Sequence, residues 1–407
     1  MTNAPRVAFF TDSFHEVNGV AHTSRHFDAF ARRRQLPFLN VHAGSKTSLV
    51  EEGPVWTAEL KRNPVGFRLE SDMSFDLTFL RHRNQIRRLL TRFGAEIVHI
   101  TGPSDVGILG TLLAHELRLP LIASWHTNIH EFAARRLSKM LRWLPGSSGE
   151  RTASLTERDI VLPLTLRYYK LARVLLAPNL ELVDMLQRRS GRPVFLMQRG
   201  VDTALFSPEK RGCSKRGLTI GYVGRLSPEK NVRLFRDVEQ ALLAAGIPDF
   251  RFLVVGDGHE RGWLAEKLQN VDFTGVLFGD ELARAYANMD IFAFPSHTDT
   301  FGNVVLEAMA SAVPVVVTSS GGPKYLVNHG VTGLVGHNDR AFVEHVVTLA
   351  RDGDLRQRIR ARAREFALCR YWDRIFEQVY DAYEFCLRAS RSMATRRPAP
   401  EPKRSFA

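Results

Sequence analysis

Cysteine is scarce in this chain of 407 residues: Cys213, Cys369 and Cys386 are odd in number and far apart. They form neither a disulfide framework nor a metal-binding spacing, which points to a reducing compartment. No apolar run approaches the roughly 20 residues of a membrane span. The opening "MTNAPRVAFF" enters a strand pattern at once and leaves no room for a signal peptide, so a cytoplasmic location is expected. Acidic residues are in the minority, 43 Asp and Glu against 56 Lys and Arg, for a net charge of +13. That balance suits anionic partners such as phosphates, nucleic acid or a lipid surface. Nucleic acid is disfavoured by a further absence: there is no zinc spacing, aromatic ribonucleoprotein motif or basic repeat.

What is present is the composition of a folded α/β protein, 44% hydrophobic and 24% charged. The length exceeds one ordinary core and predicts two domains. Apolar runs of four to six residues predict strands near Val7 to Phe10, Phe38 to Val41, Ile97 to Ile100, Leu121 to Ser124 and Val174 to Ala177. A second series lies near Leu218 to Val223, Phe252 to Val255, Ile291 to Phe294 and Val315 to Thr318. Helical patterns fall between them, for example Val20 to Arg34, Asp105 to Leu117, Val232 to Ala245 and Arg340 to Ala350. Strands alternating with helices predict two doubly wound, Rossmann-like domains with parallel sheets. The expected domains are residues 1–198 and 199–370, with the break in the polar, basic stretch "RGVDTALFSPEKRGCSKRG". Residues 371–389 read as a further helix, and the Pro-rich, charged 390–407 as a disordered tail.

Ligands of open α/β sheets bind beyond the carboxyl ends of strands, so the loops that follow strands carry the candidates. "GYVGRLSPEKNV" (221–232) sets Arg225 and Lys230 after a strand and beside an expected helix start, a pair of cations suited to a diphosphate. The alternative is a turn with solvated charges. "VVGDGHERG" (254–262) places Gly256 and Gly258 after a strand, but Gly262 comes one position too late for G-x-G-x-x-G. The motif is either a turn over a ligand or only a tight turn. In "HTDTFGNVVLEAM" (297–309), Phe301-Gly302-Asn303 open a helix whose N–H groups can hold phosphate oxygens. Glu307 lies four residues after Asn303 on the same face. A carboxylate there repels phosphate, so a ribose hydroxyl pair suits it better, as acids do in dinucleotide folds. A structural Glu paired with a buried Lys or Arg is the alternative.

In the first half, His126 in "LIASWHTN" follows a strand. It is either a structural histidine or a hydrogen-bonding group of the site. Gly19, after Asn18, leads into a helix and marks an anion cradle or a simple turn. Asp352-Gly353-Asp354 has the D-x-D pattern but lies between helices, away from any strand end. It reads as a turn and helix cap, and no metal is inferred.

Taken together, "VNGVAHTS", "WHTN", "RGVDTALFSP", "GRLSPEKNV", "VVGDGHER", "DTFGNVVLEAMASAVPVVVTSSGGPKYLV" and "GVTGLV" resemble glycosyltransferase family 4 in order and spacing. The resemblance runs from Arg6 to about Arg388. It implies a GT-B fold, two Rossmann-like domains facing a cleft, with a last helix that includes Tyr371 and Trp372 crossing back to the first domain. It implies a retaining transfer from a nucleotide sugar. Glu307 would hold the ribose, and Asp299 the hydroxyls of the donor sugar. Arg225 and Lys230, with the N–H groups of Phe301 to Val304, would neutralise the diphosphate. His126 would lie near the anomeric carbon, and Gly19 would approach the donor phosphates. Two positions depart from the family: Asp299 where many members have Glu, and Tyr325 where many carry an acid.

The expected chemistry is stabilisation of charge on a departing nucleoside diphosphate by these cations and the helix N-terminus, with no divalent metal and no cofactor. No carboxylate nucleophile stands out, so front-face attack by the acceptor is expected. The donor would be a UDP- or GDP-sugar. The motifs look closest to bacterial lipid glucosyl-, mannosyl- and sulfoquinovosyl-transferases, which makes a membrane lipid the expected acceptor. Residues 130–200 hold 13 Lys or Arg against 6 Asp or Glu. Within them "FAARRLSKMLRWL" sorts Ala133, Leu137, Met140, Leu141 and Leu144 from Arg135, Arg136, Lys139 and Arg142, the pattern of a helix lying on an anionic leaflet. The same helix could instead pack its apolar side on the first domain. Other readings are a transferase with a soluble sugar or polysaccharide acceptor, a sugar-binding protein without catalysis, and a basic nucleic-acid-binding protein.

Overall fold

The computed structural model describes residues 4–16, 18–63, 66–70, 73–76, 78–126, 161–212 and 217–395. The amphipathic segment expected over 132–144 and Cys213 lie outside them. The chain forms two compact units, Met1–Met197 with Phe376–Ala407, and Gln198–Ile375.

The first unit opens with β1 (Val7–Thr11), α1 (Gly19–Arg33), β2 (Phe38–Gly44), β3 (Ser48–Glu52) and β4 (Val55–Lys61). The hairpin β5 (Gly66–Glu70) and β6 (Met73–Asp76) follows, then α2 (Arg83–Phe93), β7 (Ile97–Ile100) and α3 (Asp105–Glu116). It continues through β8 (Leu121–Ser124), α4 (Leu162–Tyr169), β9 (Val174–Ala177), α5 (Leu180–Ser190) and β10 (Val194–Leu196). Eight strands make one sheet in the order β10-β9-β8-β7-β1-β2-β4-β3. All its pairings are parallel except β3 with β4. The central strands β1, β7, β8 and β9 are buried along their whole length, as a parallel sheet with helices on both faces requires. Asn18, Ser104 and Asn179 begin α1, α3 and α5 by accepting the backbone N–H three residues on.

The second unit contains β11 (Leu218–Val223), α6 (Phe235–Ala244), β12 (Phe250–Val255), α7 (Arg261–Lys267), β13 (Val271–Gly275) and α8 (Gly279–Ala287). After these come β14 (Ile291–Phe294), α9 (Asn303–Ala310), β15 (Val315–Thr318), β16 (Gly333–Gly336), α10 (Asp339–Arg351) and α11 (Gly353–Leu368). Its six strands run β13-β12-β11-β14-β15-β16, and every pairing is parallel. Asp352 caps α11 through a bond from Leu355 N at 2.8 Å, and Asp354 lies in that helix's first turn.

The last helix, α12 (Trp372–Thr395), starts in the second unit and from Phe376 onward belongs to the first. Phe376 stacks on Phe27 of α1 with ring centroids 4.4 Å apart. Tyr383 reaches the buried His99 of β7, Oη to Nδ1 2.7 Å. The helix runs to Thr395, past the start of the tail expected at 390, because "SRSMAT" holds no breaker and the prolines begin only at Pro398. Among the described residues no helix is long and apolar enough to cross a membrane.

Candidate active site

In the second sheet β11 is flanked by β12 on one side and β14 on the other, so the order of strands reverses there. Loops leaving the carboxyl ends of β11 and β14 diverge at such a switch point, and ligands of open sheets bind between them. Lys230 comes from one of these loops and Asp299 from the other.

The loop after β11 is built by three local devices. Gly224 N donates to Val255 O at 3.0 Å, and Leu226, fully buried, donates to Asp257 O at 2.9 Å. These bonds bind the loop to the one after β12. Gly256 makes the approach possible: its φ is 133°, and a Cβ there would lie 2.0 Å from Gly224 O. Pro228 then starts a single 3₁₀ turn, Pro228–Lys230, which ends at Asn231 in the left-handed region. The expected helix from Val232 is corrected here. A second 3₁₀ turn covers Val232–Leu234, and α6 starts only at Phe235. Lys230 therefore stands on a 3₁₀ turn, not at the N-terminus of an α-helix, because the proline and the left-handed asparagine interrupt the helical path.

Lys230 Nζ lies 2.7 Å from Oδ1 and 2.7 Å from Oδ2 of Asp299, with its charge 5.8 Å from the centroid of Phe294. Arg225 is exposed beside it in sequence, and its carbonyl accepts the Tyr222 hydroxyl at 2.8 Å. Asp299 is fixed by its own backbone: its carbonyl accepts Gly322 N at 2.6 Å. Gly322 is the residue that permits this crossing, since a Cβ there would fall 2.0 Å from Thr300 O.

Phe301 turns its ring into the core, and Gly302, at φ 91° and ψ 61°, carries the chain into α9. The N–H groups of Asn303 and Val304 stand in the first turn, where no intrahelical acceptor exists. One turn on, Glu307 is partly buried, and its Oε2 accepts the Tyr286 hydroxyl of α8 at 2.8 Å. Burial pushes its carboxyl up to about 7, and the tyrosine hydroxyl pulls it back only in part. Tyr286 is fully buried, and its phenol is raised well above the ordinary value by burial and then by the charge of Glu307. Among the described residues, Glu307 is thus paired with a neutral phenol and not with a buried Lys or Arg. The sequence carried a signal for this: a Tyr on the apolar face of an amphipathic helix needs a partner for its hydroxyl.

Lys230, Asp299, Phe301 to Val304 and Glu307 thus share one region of the second unit, while Gly256 serves the backbone beneath it. Gly19 and His126 belong to the first unit. Gly19 is the exposed first residue of α1, and Asn18 caps that helix through a bond from Ala21 N at 2.9 Å. His126 is buried two residues past β8. Sequence reasoning missed Asp12, at the carboxyl end of β1. Its N–H donates to Thr101 Oγ1 at 2.8 Å, and its carboxylate accepts the Ser104 hydroxyl. Burial, opposed in part by that hydroxyl, lifts it to about 6. Asp105 beside it is clamped by Arg62, Nη2 to Oδ1 2.9 Å.

Residues 217–352 match the family model described as glycosyl transferases group 1, and 41–205 that of Glycosyltransferase Family 4. The GDP-mannose-dependent alpha-mannosyltransferase of Mycobacterium tuberculosis is 33% identical over 307 residues, 73% of this chain and 75% of that one. This chain belongs to glycosyltransferase family 4. The glycosyltransferase is also 31% identical over 258 residues to the Corynebacterium glutamicum GDP-mannose-dependent alpha-mannosyltransferase, covering 61% of this chain and 57% of the relative. The Arabidopsis thaliana sulfoquinovosyl transferase is 30% identical over 297 residues, 68% of this chain and 54% of that one. In fold, the glycosyltransferase is similar to the sucrose-phosphate synthase of Thermosynechococcus elongatus, with a TM-score of 0.69 at 17% identity over 95% of this chain and all of the other. Both units therefore have the Rossmann-like architecture of GT-B enzymes.

Proposed function

We propose that this glycosyltransferase moves a hexose, with retention, from a UDP- or GDP-sugar to a membrane lipid. The observation that carries the reading is the Lys230–Asp299 pair, joining the two loops of the switch point beside the N-terminus of α9. Asp299 meets the hydroxyls of the donor sugar, while Lys230, Arg225 and the N–H groups of Phe301 to Val304 take up the charge of the diphosphate. Glu307 accepts the ribose hydroxyls, with Tyr286 holding its other oxygen. Gly19 and His126 act from the first unit, on the donor phosphates and near the anomeric carbon. These cations and N–H groups supply the positive charge that a divalent ion provides in other transferases, so the reading requires no metal at the diphosphate and no cofactor. The resemblance of the motifs to lipid glycosyltransferases and the basic composition favour a lipid acceptor on an anionic membrane face, and the names of the GDP-mannose-dependent relatives favour a GDP-sugar donor.

A melting screen with UDP-, GDP- and ADP-sugars tests the donor, since a ligand that binds only the native state raises the midpoint. Binding that vanishes in EDTA and returns with magnesium or manganese would overturn the metal-free part. Transfer of labelled sugar from the donor so found into a lipid extract, with an α-linked product by NMR, tests the rest. Incorporation only into soluble oligosaccharide would replace the lipid acceptor with the second reading.

A further inference from the structure

The first unit carries a side-chain cluster to which no role in transfer has been given above. Strands β2 and β4 are parallel neighbours, and their register sets His42 beside Glu59. The register of β1 on β2 sets Thr11 beside His42, so the loop after β1 passes over this end of the sheet and brings His15 with it. One ligating atom from each of His15, His42 and Glu59 lies within 4.8 Å of the other two. The three residues come from three separate segments, and only the sheet register unites them.

The surroundings orient these side chains. The buried Asn40, on the same strand as His42, donates through Nδ2 to Asp28 Oδ1 at 3.1 Å, which makes its Oδ1 an acceptor. His42 Nδ1 lies 3.4 Å from that oxygen. The proton of a neutral His42 therefore belongs on Nδ1, and the lone pair on Nε2. Phe14 stacks on the His42 ring at a centroid distance of 4.3 Å and limits its rotation. Glu59 Oε1 accepts the N–H groups of Ser45 at 3.0 Å and Lys46 at 3.4 Å, which leaves Oε2 for a further partner. A metal-binding histidine usually donates its second nitrogen to such an acceptor, and a ligating carboxylate is itself hydrogen-bonded.

We propose that His15, His42 and Glu59 form a binding site for a divalent transition metal, with Zn2+ the best fit. Two imidazoles and a carboxylate are a familiar zinc set, and three protein ligands leave the fourth tetrahedral position to water or a ligand oxygen. Ligand atoms about 2.0–2.2 Å from a tetrahedral ion lie roughly 3.3–3.6 Å apart, so closure takes a movement of about 1 Å, available to the exposed His15. His15, His42 and Glu59 all belong to the first unit, whereas Arg225, Lys230 and Asn303 belong to the second.

The test uses the full chain without an affinity tag, stripped with a chelator and titrated with Zn2+ against a chromophoric competitor. One tight equivalent is expected. His15→Ala and Glu59→Gln should each weaken it by about tenfold or more, and Asn40→Ala, acting through His42, by about 10–100-fold. Co2+ in place of zinc should give visible absorption of tetrahedral intensity, lost in His15→Ala. His26→Ala removes half of a second histidine pair, His22 Nε2 to His26 Nε2 3.2 Å, and should leave affinity unchanged. Absence of tight uptake by the wild type would overturn the proposal. So would uptake insensitive to His15→Ala, or uptake lost in His26→Ala, which would move the ion to α1. His15 is exposed, so its variant tests the site even if Asn40→Ala fails to fold.

Discussion

Lys230 Nζ sits at equal distance, 2.7 Å, from the two carboxylate oxygens of Asp299, and the side chains are 18% and 23% exposed. A pair this sheltered holds both groups in place, and each variant should report on a different half of the donor. Lys230→Ala leaves Asp299 without its cation and should cost about 1–3 kcal/mol in stability, with weaker UDP or GDP binding. Asp299→Asn should keep nucleotide affinity while transfer falls. Calorimetry with UDP and GDP decides the matter: an equal loss of affinity in both variants would mean that Asp299 does not act on the sugar.

Glu307 gives a pH signature with a definite sign. Its carboxyl is raised from 4.5 to about 7, mainly by burial. Between those values the folded chain keeps a proton that the unfolded chain has lost, so this group's contribution to stability falls as pH rises through the window. Nucleotide affinity should move the other way, rising with pH toward and just past about 7, because ribose hydroxyls donate to the ionised form. Glu307→Gln should flatten both slopes and weaken nucleotide binding by about 1.5–3 kcal/mol. Unchanged affinity in that variant would remove the ribose role.

Arg225 is exposed, so Arg225→Ala should change stability by no more than about 0.5 kcal/mol. A charged hydrogen bond to the leaving diphosphate of about 1.5–3 kcal/mol corresponds to roughly ten- to hundredfold in turnover. Steady-state kinetics beside a melting curve separates the two quantities, and wild-type turnover would remove Arg225 from the diphosphate site.

Gly256→Ala should be among the most damaging single-methyl changes in the second unit. Its φ of 133° alone costs a side-chain residue about 1–3 kcal/mol, and the new Cβ would meet Gly224 O at 2.0 Å. The expected result is a lowered unfolding midpoint together with weaker nucleotide binding, because the loop that carries Arg225 and Lys230 is displaced. A midpoint equal to wild type would contradict the packing of these two loops.

The nine strands read from apolar runs are all present, because buried parallel strands are continuous stretches of Val, Ile, Leu and Phe. Of the seven strands among the described residues that escaped notice, several lack such runs. β16 is "GLVG" and β13 is "VDFTG", and β3 is an exposed edge strand, "SLVEE", paired only with β4. The positions of Arg225, Lys230, Asp299 and Glu307 after strands were legible for the same reason. Their partners were not. Lys230 and Asp299 are 69 residues apart, and Tyr286 and Glu307 are 21 apart. Such pairings depend on which strands become neighbours, which the local pattern does not state. Asp12 escaped because a single acid after a strand carries no spacing signal, and its partners Ser104 and Thr101 come from the loop after β7, far along the chain.

The last helix has a consequence for how the chain is made. Residues Phe376, Tyr380 and Tyr383 complete the core of the first unit against Phe27, Phe30 and His99, yet they are synthesised after the whole of Gln198–Ile375. The second unit is continuous in sequence and the first is not. On the ribosome the order of completion is therefore the reverse of the order of translation: the later half can close first, while the earlier half waits with part of its apolar surface uncovered. Exposed surface of that kind is what chaperones bind and what aggregates. A chain ending at Ile375 would leave the first unit in that waiting state permanently, even though every strand of its sheet is already present.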